Sequence, residues 1–204
     1  MFITEKTIKF AKMIQSLTDI ANKYGTDKGN LHHEKHNYTP VYEAYMRRED
    51  KVVFDMMEIG INDPRFPGAG MLMWLEWLSK ESTYTGIDIN IDQNLRDIES
   101  AHRKRCSLHY ADQTKPIDLI RLLDQIPAWD FIIDDGIHTF EAQINSFFAL
   151  FPVIHSGGVY FIEDCHAKDC HKTIDLFKNL KVGCFDIKKI EFHCNDKLIA
   201  ITKY

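Results

Sequence analysis

From residue 52 onward, short apolar runs alternate with longer amphipathic stretches, and this alternation constrains the fold more than any other feature of the chain. "KVVFDMMEIG" (51–60), "TYTGIDI" (83–89), "SLHYAD" (107–112), "WDFIIDD" (129–135) and "GGVYFIED" (157–164) read as strands. "GMLMWLEWLSK" (70–80), residues 92–104, "KPIDLIRLLDQI" (115–126) and "TFEAQINSFFALFPVI" (139–154) read as helices, and another is expected near 168–180. Pro116 falls near the first turn of its helix, where a missing N–H costs little. Gly157-Gly158 reads as the stop before the fifth strand. Five β-then-α units of this kind predict a doubly wound α/β sheet with parallel central strands. The pattern changes at the end. "CFDIKKIEFHC" and "KLIAITKY" flank Asn195-Asp196, a tight-turn pair, so they predict an antiparallel hairpin.

The first fifty residues differ. A helix is expected over 5–23, then a polar loop "YGTDKGNLHHEKHN" (24–37), then a helix starting near Pro40. A connector of that length reads as a lid or binding loop. His32, His33 and His36 within it fit an acceptor pocket or a solvated loop equally well. No repeat, low-complexity tract or Pro/Gly/Ser-rich linker divides the chain, so residues 1–50 are expected to be a helical cap and lid within the same domain as 51–204. The apolar stripe of helix 5–23 needs cover, from a second copy in a homo-oligomer or from the chain's own sheet.

Bulk properties exclude several classes. A net charge of -5 argues against a nucleic-acid partner, because phosphate neutralisation needs a basic face. No apolar stretch approaches the ~20 residues of a membrane span. "MFITEKTIKFAKMI" carries acid and lysine with no uninterrupted apolar core, so no secretory signal is expected. Cysteines 106, 165, 170, 184 and 194 form no CxxC pair, which fits reduced thiols in a cytoplasmic protein. Cys165, His166, Cys170 and His171 match no common structural zinc spacing.

In open α/β sheets, ligands sit outside the carboxyl ends of the strands. The first strand ends in Glu58-Ile59-Gly60, and its loop contains Gly68 and Gly70 but no GxGxxG. Asp88 ends the second strand, where a carboxylate can accept both hydroxyls of an adenosine ribose, in NAD and S-adenosylmethionine alike. The third strand ends in Ala111-Asp112-Gln113, where Asp112 suits either an adenine amino group or the cap of the helix at 115. Together these strand ends predict an adenosyl pocket. Asp134-Asp135 and Glu163-Asp164 close the fourth and fifth strands, expected neighbours, so four carboxylates would converge. Unneutralised, such a cluster raises at least one pKa or demands a cation, and all-oxygen ligands favour Mg²⁺, Mn²⁺ or Ca²⁺. His138 stands close enough to take a proton there.

The segments "YGTDKG" (24–29), "EIG" (58–60), "GAGMLMW" (68–74), "GIDI" (86–89), "ADQ" (111–113), "IIDDGIH" (132–138) and "FALFPVIHSGGVYFIED" (148–164) occur in order along nearly the whole chain. In these the sequence resembles the class I S-adenosylmethionine-dependent methyltransferases. The resemblance is to the metal-dependent sugar O-methyltransferases of macrocin and mycinamicin type, a group related to the cephalosporin hydroxylase family. It implies a Rossmann-like, mostly parallel sheet with a C-terminal antiparallel hairpin and an N-terminal helical cap. It further implies that Glu58 and Gly60 line the methionine and ribose portion of S-adenosylmethionine, that Asp88 binds the ribose and that Asp112 binds the adenine end. Asp135, Glu163 and Asp164 would hold Mg²⁺, with His138 the general base and Asp134 shaping the strand end beside the cofactor. The 24–29 loop would close over cofactor or acceptor, with Lys28 a partner for a carboxylate or phosphate. The implied acceptor is a sugar, sugar nucleotide or glycan precursor. Ile137 departs from the pattern, standing where a small polar residue is expected. A nucleotide-dependent oxidoreductase or hydroxylase-like enzyme and a non-catalytic adenosyl-binding protein are the alternatives.

Overall fold

The computed structural model describes residues 15–32, 35–46, 53–65, 67–123, 128–165, 171–181 and 184–204. The expected helical residues 5–14, 124–126 and 168–170 lie outside these, as do His33, His166 and Cys170. Two short helices, α1 (Leu17–Tyr24) and α2 (Thr39–Met46), precede the alternating core. The core then runs β1 (Asp55–Ile59), α3 (Ala69–Trp77), β2 (Thr83–Asp88), α4 (Gln93–Ala101), β3 (Cys106–Tyr110) and α5 (Pro116–Leu123). It continues through β4 (Trp129–Asp134), α6 (Phe140–Leu150), β5 (Ile154–Ile162) and α7 (His171–Asn179) to β6 (Ile187–His193) and β7 (Leu198–Lys203).

The strands form one seven-stranded sheet in the order β3-β2-β1-β4-β5-β7-β6. β3, β2, β1, β4 and β5 are mutually parallel, and β7 inserts antiparallel between β5 and β6. This is the expected Rossmann-like architecture with its terminal hairpin. The chain winds outward from β1 to β3, then crosses back to place β4 on the other side of β1. The chain therefore leaves β1 and β4 toward helices on opposite faces, α3 on one and α6 on the other, which opens a crevice at the carboxyl ends of the strands.

Side-chain alternation along the strands supplies two cores, one on each face. Met56, Phe131, Ile133 and Phe161 face one way, packing with Trp74 and Leu95 and with Leu17, Ile20, Tyr38 and Tyr42 from the N-terminal segment. Met57, Ile132, Tyr160 and Ile162 face the other, against Leu119, Phe147, Leu150 and Phe177. The described part of the first helix is thus covered by this chain's own core.

Several boundaries differ from expectation, and two bear on the strands that frame the cleft. β3 ends at Tyr110, leaving Ala111–Gln113 in the loop. β5 begins at Ile154, so Gly157-Gly158 lies inside the strand instead of stopping a helix before it. The register jumps there from Trp129↔Ile154 to Phe131↔Val159, and Gly157 takes φ 78°, the irregular conformation that a glycine absorbs cheaply.

Candidate active site

A cleft of about 390 Å³ opens at the carboxyl ends of the central strands. Its lining includes Lys28, Glu58, Gly60, Asp88, Asp112, Asp135, His138 and Asp164. Asp134 and Glu163 lie behind this wall, 1% and 2% exposed. Strand ends, a loop from the N-terminal segment and two helix entries thus bring together residues more than 100 positions apart in sequence.

The carboxyl end of β1 supplies Glu58, which accepts from Tyr84 Oη (2.5 Å) and Trp74 Nε1 (3.4 Å). Burial raises its pKa against the opposing pull of Lys28. Gly60 has φ 82°, and a Cβ there would lie 2.2 Å from the carbonyl oxygen of Asp135. Only glycine lets the first and fourth strand-end loops approach this closely. Asp88, ending β2, accepts from the backbone N–H groups of Asn62 and Asn90, both at 2.9 Å. It therefore ties down the loop after β1 as well as its own. Asp112 accepts from Thr114 N (3.0 Å) and Thr114 Oγ1 (2.6 Å) and pairs with Lys115. Those hydrogen bonds lower its pKa to about 2. Asp112 thus holds the turn that precedes α5, with its side-chain hydrogen bonds to Thr114 instead of to the N–H groups of the helix, and it also lines the cleft.

The end of β4 separates its two aspartates by direction. Asp134 turns into the protein, accepting from Gln113 Nε2 (2.5 Å) and Tyr160 Oη (3.1 Å). Burial pushes its pKa up to about 7. Gln113 also accepts from the N–H of Ile137 (3.0 Å), so one buried amide holds both the strand end and the turn after it. Ile137 lines the cleft, 46% exposed. Asp135 faces the cleft. His138 Nε2 lies 3.7 Å from both Asp135 Oδ1 and Asp164 Oδ2. The ligand atoms of Asp135, His138 and Asp164 all fall within 4.8 Å of one another. His138 and Asp164 both take φ 52°, a left-handed conformation that is uncommon for non-glycine residues. Strain of this kind persists where surrounding structure over-determines it.

Behind this face lies an ionic cluster. Lys28 Nζ is 2.5 Å from Asp135 Oδ2, 2.8 and 2.9 Å from the two oxygens of Glu163, and 3.7 Å from Glu58 Oε1. Burial would lower the Lys28 pKa, but the three carboxylates hold it well above its ordinary value. Glu163 also accepts from Tyr42 Oη at 2.5 Å, while burial and the neighbouring Asp135 push its pKa well up. Asp164 accepts from Tyr38 Oη at 2.6 Å and lies 3.3 Å from His36 Nδ1. Burial would raise its pKa, but Tyr38, His36 and His138 together hold it below the usual carboxylate range. Burial likewise leaves Asp135 raised, outweighing the opposing effect of Lys28 and His138.

Lys28 is delivered by a loop that folds back on itself. Its carbonyl accepts from Tyr38 N (3.1 Å) and Thr39 N (3.3 Å), and the N–H of His36 donates to Asp27 O (2.8 Å). Sequence reasoning missed Tyr38, Tyr42 and Gln113. For the tyrosines the signal was their four-residue spacing across the entry to α2, which puts both on one side.

The residues fit a hard divalent cation. Aspartate oxygens from two adjacent strands converge on one point of the cleft wall, with charge in excess of the single ammonium. Glu163 stands next to them with both oxygens engaged by Lys28. The strand-end acids at β1, β2 and β3 line the same cleft, whose volume falls in the range of small-molecule sites.

Among curated proteins, the chain is 32% identical over 155 residues to the 8-demethyl-8-alpha-L-rhamnosyl tetracenomycin-C 2'-O-methyltransferase of Streptomyces olivaceus, which covers 74% of this chain and 38% of that protein. It is 33% identical over 152 residues to the demethylmacrocin O-methyltransferase of Streptomyces fradiae, covering 72% and 36%. The chain therefore spans little more than a third of the length of these relatives. Among solved structures it is similar to the MycE methyltransferase of mycinamycin biosynthesis in complex with Mg, SAH and mycinamycin VI. The TM-score is 0.74 at 20% identity, over 100% of this chain and 63% of that one. The apo TDP-rhamnose 3'-O-methyltransferase CalS11 matches with a TM-score of 0.59 at 14% identity, over 100% and 96%, a likeness of fold. No family model matches the chain. With the order of its motifs, the topology of its sheet and these sequence matches in agreement, the chain is a homologue of the sugar O-methyltransferases of macrocin and mycinamicin type.

Proposed function

We propose that the protein transfers a methyl group from S-adenosylmethionine to a hydroxyl of a sugar or glycan-related acceptor, assisted by a divalent cation, Mg²⁺ before Mn²⁺ or Ca²⁺. One observation carries this reading. Asp135, His138 and Asp164 meet within 4.8 Å on the wall of the cleft that the β1, β2 and β3 strand-end acids also line. The homology to sugar O-methyltransferases supports the sugar as acceptor class.

In this reading, Glu58, Gly60, Asp88 and Asp112 hold the cofactor, which supplies an electrophilic methyl on a sulfonium. Asp134 shapes the cofactor side of the β4 end from behind. Asp135, Glu163 and Asp164 would hold the cation, which when bound would supply Lewis acidity toward an acceptor hydroxyl. For Glu163 this requires giving up part of its pairing with Lys28. His138 Nε2 accepts the hydroxyl proton as the new O–C bond forms and the S–C bond breaks. The two aspartates beside His138 orient its ring and stabilise the imidazolium that results. The cleft walls would hold cofactor and acceptor side by side, and such positioning would supply much of the acceleration. The 24–29 segment contributes Thr26, Asp27 and Lys28 to the wall.

His138→Ala is expected to lower kcat by about 10²–10⁴-fold, the usual worth of a positioned base. Asp135→Ala is expected to abolish turnover. Calorimetric titration with S-adenosylhomocysteine should show cofactor affinity nearly unchanged in both. The assay measures methyl transfer from labelled cofactor to a panel of sugars and glycosides, with and without chelator. Full activity of both variants in chelator would overturn the reading. Binding of a nicotinamide dinucleotide in place of S-adenosylhomocysteine would favour the oxidoreductase alternative.

A further inference from the structure

Lys28 is 3% exposed, and a lysine buried to that degree is rare unless it is paired. Its partners come from three different strands: Glu58 from β1, Asp135 from the end of β4 and Glu163 from the end of β5. The lysine itself lies outside the sheet. It arrives on a loop fixed through its own backbone, since its carbonyl receives two N–H groups at the entry to α2. Tyr42, from the helix that follows, donates to the same Glu163 oxygen that Lys28 reaches at 2.8 Å. Loop and helix therefore clamp Glu163 together, and nothing in this arrangement needs a ligand to complete it.

The charges do not balance. Glu58, Asp135, Glu163 and Asp164 bring four carboxylates to one end of the sheet, and Lys28 brings one ammonium. Asp135 is shared: Oδ2 meets the ammonium, while Oδ1 faces His138. The ammonium thus fixes the inner half of the carboxylate set and leaves the outer half charged.

We propose that Lys28 is the resident cation of this site, a positioning residue that restrains Asp135 and Glu163 and reduces the charge seen by the divalent ion. It would thereby limit the affinity for that ion, competing with it for Glu163, while holding Asp135 in place with Oδ1 turned to the cleft. The part concerning the ion rests on the metal-dependent reading above; the charge clamp does not.

Two measurements test it. In the first, thermal melts are run in EDTA on the wild type and on Lys28→Met, Glu163→Gln and the double variant. Lys28→Met is expected to melt well below the wild type, and Glu163→Gln to lower the wild-type melting temperature. Glu163→Gln on the Lys28→Met background is expected to raise it, because one charge of each sign is then gone. If Lys28→Met does not fold, the double variant is expected to fold. Destabilisation by Glu163→Gln on both backgrounds, or failure of both Lys28→Met proteins to fold, would mean that the lysine acts by packing and would overturn the proposal.

In the second, Mn²⁺ binding is followed by electron paramagnetic resonance. Loss of a positive charge beside the site should tighten binding in Lys28→Met by about tenfold or more. Its kcat at saturating Mn²⁺ should nevertheless fall, and Lys28→Arg should recover both values toward the wild type. Weaker or unchanged Mn²⁺ binding in Lys28→Met would overturn the proposal. No Mn²⁺ binding by the wild type would instead defeat the metal-dependent reading, and the EDTA melts would then decide the clamp alone.

Discussion

Gly60 controls how closely β1 and β4 approach at the point where the cleft opens. Its φ of 82° is already costly for any side chain, and a Cβ would meet the Asp135 carbonyl oxygen at 2.2 Å. Gly60→Ala is therefore expected to cost at least about 2 kcal/mol in urea denaturation, combining backbone strain with displacement of a packed loop. A loss below about 0.5 kcal/mol, the size of an ordinary surface change, would show that the two loops separate freely. The same displacement would move Asp135, so methyl transfer should fall even where the variant remains folded. That Gly60 belonged to a strand end was legible in "EIG"; that its neighbour is the backbone of Asp135 was not. The two residues directly follow β1 and β4, which pair only once the chain has crossed back past β2 and β3.

The helices and strands follow from periodicity, and their ends from local chemistry. Asp92 is an example: its Oδ1 accepts from Leu95 N at 3.0 Å and opens α4. Asp92→Ala is expected to cost about 1 kcal/mol, the usual worth of an N-cap, with little effect on cofactor binding, as measured by melting and calorimetry. A cost near zero would show that the first turn of α4 is held by packing of Leu95 alone. The elements from β1 to β7 could be read in order because each has a clear period and a clear stop. At β5 the reading slipped on a glycine pair. Gly157-Gly158 resembles a stop signal in sequence, yet the chain passes through it within β5 by means of a positive φ and a register shift. Composition cannot distinguish a glycine that ends an element from one that lets a strand bulge.

At the scale of the molecule, the N-terminal segment is built into the sheet's core. Leu17, Ile20, Tyr38 and Tyr42 share a core with Met56, Phe131 and Phe161, and Lys28 supplies the counter-charge for acids on three strands. Deleting residues 1–46 is therefore expected to expose that core and leave Glu58, Asp135 and Glu163 without their buried ammonium. The remaining chain should lose its near-UV circular dichroism and its cooperative melt. A truncated chain that melts cooperatively at the full-length temperature would show that the N-terminal segment is a detachable cap.

The sequence by itself determined the class of fold, the order of its units and the acidic residues that end the strands, because period and turn chemistry are local properties. It also pointed to a carboxylate cluster, since two acidic pairs on neighbouring strands have to face one another. Only the tertiary structure decided how those acids divide their work. Asp134 turns inward to Gln113 and Tyr160, Asp135 turns outward to His138, and Glu163 is drawn behind the cleft by Lys28 and Tyr42. For Asp135 and Glu163 those roles depend on Lys28 and Tyr42, more than 100 residues away, and for all three on burial that sets the energy of each charge. No window of sequence contains that information.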